Sequence, residues 1–339
     1  MKRIGNLYER IISIENLEMA DRKARRGKTN TYGVKQHDKN HNHNIYNLHI
    51  MLKNKTYKTS EYNIFKIFEP KERLVYRLPY YPDRIVHHAI MNILEPVWLS
   101  IFTYNTYSCI KKRGIEGCAR QVDKIIKSFK DKKIYCLKID IKKFYPSIDH
   151  EILKKLIRKK IKDRDLLWLL DEIVDSTNGL PIGNYLSQFL ANLYLSYFMH
   201  YVNEILKIKC VEYADDICFF SEDKKELHNT LYLIKDYLLN ELKLEINRNY
   251  QIFPISKNKY DNSGRGLDYI GYKFYRKQKL IRKKIKKKFS KKVNKINKKT
   301  LNLKEYKQEI SPWLGWIKHS NSKHLLKIIL KNKYYESIL

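Results

Sequence analysis

Short apolar runs bounded by turn-forming residues predict two strand-rich stretches in the first half of the chain, at 62–81 and 133–150. In the first stretch, two β-rich runs flank the turn former "EPKE", a pattern typical of a hairpin. In the second, the residues from Tyr135 to Ile141 are almost continuously apolar, which predicts a central strand covered on both faces. The remaining strands are predicted around 210–220, 244–256 and 267–282.

Helical periodicity fills most of the rest of the chain. Helices are predicted at 82–102, 116–130, 151–176, 185–206 and 223–242. Residues 1–57 are also helical in tendency, except for a polar stretch at 27–44 that is predicted to be a loop. This stretch holds His37, His41 and His43, but no cysteine or paired carboxylate completes a ligand set, so a solvated loop is favoured over a metal site. The order of elements indicates an α+β fold with a small antiparallel sheet packed on helices.

The balance of charge is strongly basic. The 339 residues include 69 Lys and Arg against 36 Asp and Glu, a formal net charge of +33. Such a surplus favours polyanionic partners, with nucleic acid as the first candidate and an anionic membrane surface as the second. No apolar run approaches the roughly 20 residues that span a bilayer. The five cysteines form no CxxC pair and are typical of reduced, mostly buried thiols in a cytoplasmic protein.

The basic residues are densest near the C-terminus. Residues 276–299 contain 14 Lys or Arg and no acid. Apolar residues recur among them at helical spacing, namely Ile281, Ile285, Phe289, Val293 and Ile296. A solvated face that serves solubility is one interpretation of such a run. The apolar stripe favours the other, a helix whose cationic back follows a phosphate backbone.

Two adjacent aspartates, Asp215 and Asp216, interrupt the apolar run "CVEYADDICFF". Neighbouring residues on a straight strand point to opposite faces, so one carboxylate would be buried at a high free-energy cost. Either a tight hairpin carries both acids at its tip, or a bound cation compensates them. A third acid, Asp140, ends the strand at 135–141; alone, it is as suited to a turn or cap as to a ligand.

If those strands are neighbours in one sheet, the three carboxylates converge and repel one another unless cations bind. Oxygen ligands select hard ions such as Mg²⁺. Two such ions about 3.5–4 Å apart activate an attacking hydroxyl and stabilise a leaving oxygen, which is the chemistry of nucleotidyl transfer.

The ordered motifs resemble those of reverse transcriptases. "KIDIKKFYPSIDH" is similar to motif A (136–150), "NGLPIGNYLSQFLANLYLS" to motif B (178–196) and the run around "YADD" to motif C (210–220). "KERLVYRLPYYPDRIVHHAI" resembles the finger motif and "LDYIGYKFY" the primer grip (267–275). The resemblance implies a right-hand polymerase fold of fingers, palm and thumb. The domains implied are an N-terminal helical extension (1–60), fingers and palm (61–275) and a basic helical thumb (276–339).

The resemblance also implies roles for individual residues. Asp140, Asp215 and Asp216, with the carbonyl of Ile141, would bind two Mg²⁺ ions, for which Mn²⁺ is a substitute. Tyr145 matches the aromatic steric gate that excludes a ribose 2′-hydroxyl, so that dNTPs are preferred. The nucleotide-binding residues implied are Lys71, Arg73, Tyr145, Ile182, Gly183, Ser187 and Gln188. The primer-binding residues implied are Tyr213, Gly271 and Tyr272.

Motif B reads IGxxxSQ from Ile182 to Gln188, where many bacterial relatives read QGxxxSP. This form resembles the reverse transcriptases of diversity-generating retroelements, which copy a structured template RNA with errors at adenines. That subgroup implies a cytoplasmic protein of bacterial or phage origin that extends a DNA or RNA primer, and a small basic accessory protein as a further partner. An amide at this position can form a hydrogen bond that depends on the geometry of the base pair, whereas isoleucine can only fill space, so weaker discrimination between bases is expected. The alternative is that Ile182 only repacks the start of the helix and leaves fidelity unchanged.

Two other functions stay open. Defence-associated and retron reverse transcriptases share these motifs and copy a non-coding RNA to block phage. A non-catalytic RNA-binding protein on a decayed polymerase scaffold would also suit the charge and the 27 tyrosines. The presence of all three aspartates favours catalysis.

Overall fold

The computed structural model describes residues 2–68, 72–299 and 301–330. The chain forms two compact units, each assembled from distant segments. Unit 1 contains Met1–Cys109, Asp140–Leu206 and Leu233–Asn247, and unit 2 contains Ile110–Ile139, Lys207–Tyr232 and Arg248–Leu339. The units do not test the domain boundaries expected from sequence, which stay a prediction.

Helices dominate both units. The helices are α1 (Tyr8–Ile12), α2 (Ile14–Ala24), α3 (Tyr32–Lys39), α4 (His41–Lys53), α5 (Ile85–Leu99), α6 (Gly114–Ser128), α7 (His150–Lys160), α8 (Arg164–Val174), α9 (Tyr185–His200), α10 (Lys224–Leu242), α11 (Lys283–Ile296), α12 (Leu303–Lys318) and α13 (Lys323–Leu330). Shorter helical turns cover Tyr80–Arg84, Tyr145–Ser147 and Tyr201–Leu206. None of the helices among the described residues has the length and the apolar character that crossing a bilayer requires.

The strands form three separate sheets. The strands are β1 (Asn63–Ile67), β2 (Arg73–Arg77), β3 (Tyr135–Asp140), β4 (Lys209–Tyr213), β5 (Asp216–Ser221), β6 (Gln251–Pro254), β7 (Leu267–Tyr269), β8 (Tyr272–Phe274) and β9 (Lys279–Ile281). β1 and β2 form the hairpin predicted at 62–81. The largest sheet has the order β4–β5–β3–β6, and β7–β8–β9 form an antiparallel sheet of their own. β3 is thus an interior strand, as its apolar run predicted.

The core of unit 1 is built on α5 and α9. α5 packs against α1, α2 and α9, and α9 also packs against α7. Both central helices bury residues around most of their circumference, which explains why their sequences lack a clean polar face. In unit 2, α6 packs against β4, and Val122, Ile125 and Ile126 form its buried stripe.

The C-terminal helices share a small core of their own within unit 2. Its buried residues include Phe289, Val293 and Ile296 of α11, Ile310 and Ile317 of α12 and Leu326 of α13. The apolar stripe predicted in the basic region is therefore confirmed as the buried face of α11. Ile281 is the exception, because it lies in β9 and precedes the helix.

The prediction of a loop at 27–44 is wrong. α3 and the start of α4 lie within that stretch and are separated at Asn40. The reason is that a few buried residues are enough to anchor these helices. Val34 and His37, three residues apart, are the buried residues of α3, and Ile45 is buried in α4. The helical region predicted at 151–176 divides into α7 and α8, with Ile161 in an extended conformation between them.

Candidate active site

The two adjacent aspartates lie at the tip of a tight hairpin in unit 2. β4 and β5 are antiparallel, and Tyr213 pairs with Asp216, so Ala214 and Asp215 form a two-residue loop. Ala214 adopts a positive φ of 55°, which is unfavourable for a residue with a Cβ. The flanking strands are largely buried, whereas Asp215 and Asp216 are half-buried at the tip. The hairpin explanation drawn from the sequence is therefore confirmed.

Asp216 is surrounded by polar groups of unit 2. Lys138 Nζ on β3 lies 3.5 Å from Asp216 Oδ1 and 3.1 Å from the carbonyl oxygen of Asp268. The hydroxyl of Tyr269 donates a hydrogen bond to the carbonyl oxygen of Asp216 at 2.8 Å. Burial raises the pKa of Tyr269 well above its ordinary value, so this phenol stays protonated and keeps donating. The backbone of Asp216 is thus held in place, and its carboxylate faces Lys138.

Asp140 is the last residue of β3 and the first residue of its segment of unit 1. Asn247 forms two hydrogen bonds with Asp140. The side-chain amide of Asn247 donates to Asp140 Oδ2, and the backbone N–H of Asn247 donates to the Asp140 carbonyl oxygen at 2.8 Å. Ile141, the predicted carbonyl ligand, is buried and forms an isolated β-bridge with Ile246. The carboxylate is therefore oriented by a neighbouring amide, the kind of support that ligating carboxylates receive from surrounding groups.

The predicted steric-gate residue, Tyr145, opens a short helical turn in unit 1. The N–H of Leu180 donates to the Tyr145 carbonyl at 2.8 Å, which ties the turn to the loop before α9. Gly179 makes the approach feasible: its φ is +64°, and a Cβ there would lie 2.6 Å from the carbonyl oxygens of Tyr145 and Pro146. Only glycine satisfies both requirements, so this position fixes the backbone under Tyr145.

The next residues of the same loop bind β2. The Ile182 carbonyl accepts a hydrogen bond from the Tyr76 N–H at 2.8 Å. At Gly183, where φ is +122°, a Cβ would lie 2.6 Å from the Tyr76 carbonyl oxygen. Arg73 is exposed at the start of this strand. Unit 1 therefore joins the loop before α9 to both β2 and the Tyr145 turn, whereas Lys71 lies outside the described residues.

Two other predicted nucleotide-binding residues follow on α9. Ser187 is 3% exposed and thus faces the protein interior. Gln188 is half-buried, and its Oε1 lies 3.0 Å from the sulfur of Cys109, which donates to it. Cys109 is the exposed member of the five free cysteines; the other four are buried, as the sequence predicted for most of them.

A cavity of about 630 Å³ lies beside this loop in unit 1. Its wall includes Gly183 and three cations, Lys28, Arg77 and Arg84. Burial, together with the neighbouring Arg84 and Arg77, lowers the pKa of Lys28, and burial likewise lowers the pKa of Arg84. These cations repel one another, and a polyanion would relieve the repulsion. Tyr32, which is 78% exposed, contributes an aromatic ring.

The predicted primer-grip residues lie in the turn between β7 and β8. Ile270 and Gly271 both have positive φ values, 42° and 90°, as a two-residue hairpin loop of this kind requires. A Cβ on Gly271 would lie 2.5 Å from the ring of Trp316. Tyr272 is buried against the same indole, with ring centroids 5.0 Å apart, and burial raises its pKa to about 12. Tyr213 is half-buried at the end of β4.

Sequence reasoning missed the residues that orient the aspartates. Lys138 could have been found, because it precedes Asp140 by two residues and thus leaves β3 on the same face. No local sequence pattern identifies Asn247 or Tyr269, because each lies more than 50 residues along the sequence from the aspartate that it contacts in the fold. Glu212, whose side chain is fully buried on β4 next to Tyr213, was also missed.

The sequence profile of the family described as reverse transcriptase (RNA-dependent DNA polymerase) matches residues 66–274. The match covers more than half of the chain, and the chain therefore belongs to this family. The family uses divalent metal ions.

Among curated proteins, the chain is similar to protein YkfC of Escherichia coli (strain K12), at 24% identity over 38% of this chain and 36% of that protein. It is also similar to the group II intron-encoded protein LtrA of Lactococcus lactis subsp. cremoris, at 26% identity over 48% of this chain and 28% of that protein. The chain thus matches about a third of each relative's length.

Among solved structures, telomerase from Candida albicans in complex with a TWJ fragment of telomeric RNA has a TM-score of 0.50 at 10% identity. The similarity covers 83% of this chain and 64% of that chain. A likeness at this identity concerns the fold alone. Together with the family match, it confirms the predicted α+β class with the right-hand polymerase fold.

Proposed function

We propose that this protein is an RNA-directed DNA polymerase that makes cDNA by nucleotidyl transfer. The observation that carries the proposal is the hairpin tip of β4 and β5, which presents Asp215 and Asp216 in a chain of the reverse transcriptase family. In the proposal, Asp140 joins them, and the three carboxylates with the carbonyl of Ile141 bind two Mg²⁺ ions. Carboxylate and carbonyl oxygens are the donors that Mg²⁺ prefers, so the donor set fits the ion.

The arrangement of the largest sheet supports this metal assignment. β5, which begins at Asp216, is the neighbour of β3, which ends at Asp140. Side chains two residues apart on a strand leave the same face, so Asp140 shares a face with Lys138. Lys138 Nζ in turn lies 3.5 Å from Asp216 Oδ1. Divalent ions bound among the three carboxylates would remove their mutual repulsion.

Each part of the chain has a distinct task in the proposed reaction. Bound Mg²⁺ would supply activation of the primer 3′-hydroxyl and stabilisation of the leaving pyrophosphate oxygen. Arg73 would hold the triphosphate with its forked donors, a task that Lys71 would share. Tyr145 would place its ring where a ribose 2′-hydroxyl must go. Tyr213, Gly271 and Tyr272 would position the primer; because Tyr272 is buried, its contribution would come from the backbone.

The cavity next to Gly183 supports RNA as the template. Lys28, Arg77 and Arg84 provide three cations for a phosphate backbone, and Tyr32 provides an exposed ring on which a base can stack. The basic face of α11 offers a second phosphate-binding surface in unit 2, with its apolar residues turned into the core. The +33 net charge makes both surfaces strongly attractive to nucleic acid.

The direct test is extension of a DNA primer on poly(rA) with dTTP and Mg²⁺. We expect wild-type protein to incorporate dTMP and excess EDTA to stop incorporation, because the carboxylates alone cannot stabilise the phosphoryl charge. Added Mg²⁺ in excess of EDTA should restore it. Primer–template binding without incorporation, in the presence of Mg²⁺ or Mn²⁺, would instead support the non-catalytic RNA-binding protein.

We further propose that the enzyme copies a dedicated structured RNA in a diversity-generating retroelement, with errors at template adenines. What supports this is Ile182 in the loop that binds β2, a half-buried hydrocarbon where many relatives carry an amide. The partners would be this RNA, a DNA or RNA primer, dNTPs and a small basic accessory protein. An antiphage or retron-type enzyme that copies a non-coding RNA is the alternative for the same chemistry.

Ile182→Gln should lower misincorporation opposite template adenines by about three- to tenfold. The reason is that the new amide can form a hydrogen bond that a correct pair satisfies, and one such bond contributes about 0.5–1.5 kcal/mol. Sequencing of cDNA copied from one RNA template measures the effect. Ile182→Leu is the matched control, since it keeps a hydrocarbon of the same size and should leave the errors unchanged. Equal error frequencies in all three proteins would refute the fidelity role of Ile182.

A further inference from the structure

Three helices near the N-terminus bring together two histidines and an aspartate, none of which has a role in the proposed reaction. Asp21 lies on α2, His37 on α3 and His41 at the start of α4, all within unit 1. One ligand atom from each residue lies within 4.8 Å of the others. Among the described residues this is the group of His, Cys, Asp and Glu side chains that meets such a spacing.

The separations between the ligand atoms match those of a tetrahedral zinc site. His37 Nε2 lies 3.5 Å from Asp21 Oδ1, and His41 Nε2 lies 3.4 Å from Asp21 Oδ2. Glu18 Oε2 lies 3.5 Å from His41 Nε2 but outside the close group of three, so it would have to move toward His37 and Asp21 to become a fourth ligand. Ligands bound tetrahedrally at 2.0–2.1 Å from zinc are about 3.3–3.4 Å apart. Asp21, His37 and His41 therefore need only small adjustments to contact one ion, whereas Glu18 needs a larger movement.

The ring nitrogen of His37 that faces Asp21, Nε2, lacks a hydrogen-bond partner among the described residues. His37 is 2% exposed, and no described residue forms a hydrogen bond with its Nε2. Burying a polar nitrogen without a partner is unfavourable, and a metal ion would remove that cost. The amide nitrogen of Asn44 lies 3.3 Å from Nδ1 of the same ring and donates to the His37 carbonyl oxygen at 3.2 Å. Metal binding through Nε2 places the proton on Nδ1, so the Asn44 amide would turn its oxygen toward Nδ1 and give up the bond to the carbonyl.

The remaining contacts orient the ligands. His41 Nδ1 lies 3.0 Å from Asn42 Oδ1, an acceptor that places the proton on Nδ1 and leaves the Nε2 lone pair for a metal. Tyr80 donates to Asp21 Oδ1 at 2.5 Å and Arg25 to Asp21 Oδ2 at 2.6 Å. Arg25 also donates to Asp21 Oδ2 from Nε at 3.0 Å, so that oxygen is fully bonded, whereas Oδ1 keeps one lone pair for an ion.

The local charge favours a dication. Glu18, Asp21 and Asp38 are acidic, and Arg25, which bonds both Asp21 and Asp38, is the cation that contacts them. With both histidines neutral, the sum of these side chains is −2 before any ion binds.

We propose that Asp21, His37 and His41 form a structural zinc site, with Glu18 moving in as the fourth ligand when the ion binds. Two imidazole ligands select zinc over Mg²⁺ or Ca²⁺, which prefer oxygen ligands throughout. All four positions come from protein side chains, and a closed set of that kind is typical of a structural rather than a catalytic zinc ion. The ion would fasten α2, α3 and α4 together. Because His37 also lines the 630 Å³ cavity, the ion would fix one wall of that cavity.

The test compares two histidine substitutions on the same helix. His41→Asn removes a ligand, whereas His43→Asn removes an exposed histidine two residues away whose Nε2 is bonded to Asn47. Protein purified without chelator and dialysed against metal-free buffer is analysed for bound zinc by mass spectrometry. We expect about one zinc ion per chain in wild type and in His43→Asn, and at least a hundredfold weaker zinc affinity in His41→Asn, because losing a ligand exceeds the usual loss from disturbing a supporting contact.

Cobalt substitution gives a second readout that is independent of polymerase activity. Co²⁺ bound tetrahedrally absorbs strongly in the visible range, whereas six-coordinate Co²⁺ at the aspartates of motif C absorbs weakly. We expect the strong bands in wild type and His43→Asn, their disappearance in His41→Asn, and their persistence in Asp215→Asn. Wild type that neither retains zinc nor shows these bands, or His41→Asn that behaves like His43→Asn in both measurements, would overturn the proposal and leave a hydrogen-bonded carboxylate network. Failure of RNA-templated synthesis would not bear on it.

Discussion

Replacement of Asp215 by asparagine is expected to lower RNA-templated dTMP incorporation by about a thousandfold. In the proposed site Asp215 would bind both metal ions, and a metal ion that stabilises charge in the transition state contributes several kcal/mol, of which each 1.36 kcal/mol is a factor of ten in rate. Asparagine has nearly the same shape and suits the loop between β4 and β5, so the hairpin should persist. Single-turnover incorporation on poly(rA) with saturating Mg²⁺ measures the loss.

The control for this substitution is Asp236→Asn on the exposed face of α10. It removes the same charge from a carboxylate whose Oδ1 accepts a hydrogen bond from Asn240, outside the motifs proposed to bind metal or nucleotide. We expect its rate to stay within a factor of two of wild type. A rate for Asp215→Asn within tenfold of wild type, with the fold intact by circular dichroism, would contradict the assignment of Asp215 as a metal ligand.

Gly179→Ala is expected to destabilise unit 1 by about 3 kcal/mol or more. Part of the cost, about 1–2 kcal/mol, comes from placing an L-residue at a φ of +64°. The larger part comes from the new Cβ, which would lie 2.6 Å from two carbonyl oxygens and must push the Tyr145 turn away. We therefore also expect a raised KM for dNTP, because Tyr145 would no longer lie where the loop before α9 holds it.

Gly27→Ala separates the two contributions. Gly27 has nearly the same φ, +68°, lies in unit 1 as well, and has no heavy atom within 4 Å of its Cβ position. It should lose only the conformational part, about 1–2 kcal/mol, and leave the KM for dNTP unchanged. The free energies of unfolding of wild type and both variants are compared by urea titration, with one spectroscopic probe used for all three proteins. Equal losses for the two alanine variants would show that the close approach at Gly179 contributes nothing.

The elements that sequence predicted best are those with a strict local pattern. The alternation around Asp215 predicted the hairpin. The run from Tyr135 to Ile139 predicted an interior strand, because apolar residues at nearly every position indicate burial on both faces. The basic helix was likewise recognisable from Phe289 and Val293, whose spacing matches one helix face. Where local spacing determines the structure, the sequence was sufficient.

The failures come from contacts between distant segments. The stretch at 27–44 is rich in polar residues, and its helices form because neighbouring helices bury Val34 and His37. The carboxylate that His37 and His41 lacked in the local sequence is supplied by Asp21, from the preceding helix. In the same way, Asn247 supports Asp140 from 107 residues away. No local pattern contains this information, since the partners come together only through tertiary packing.

The contact between Gly271 and Trp316 makes the turn of β7 and β8 part of the C-terminal helical core. The indole of α12 covers the glycine and packs on Tyr272, and Phe289 stacks on Trp313 one helical turn before Trp316. Close-packed interiors transmit displacement because they are nearly incompressible. A tilt of α12 would therefore carry the turn with it, so the predicted primer grip and the basic helices of the predicted thumb would move together.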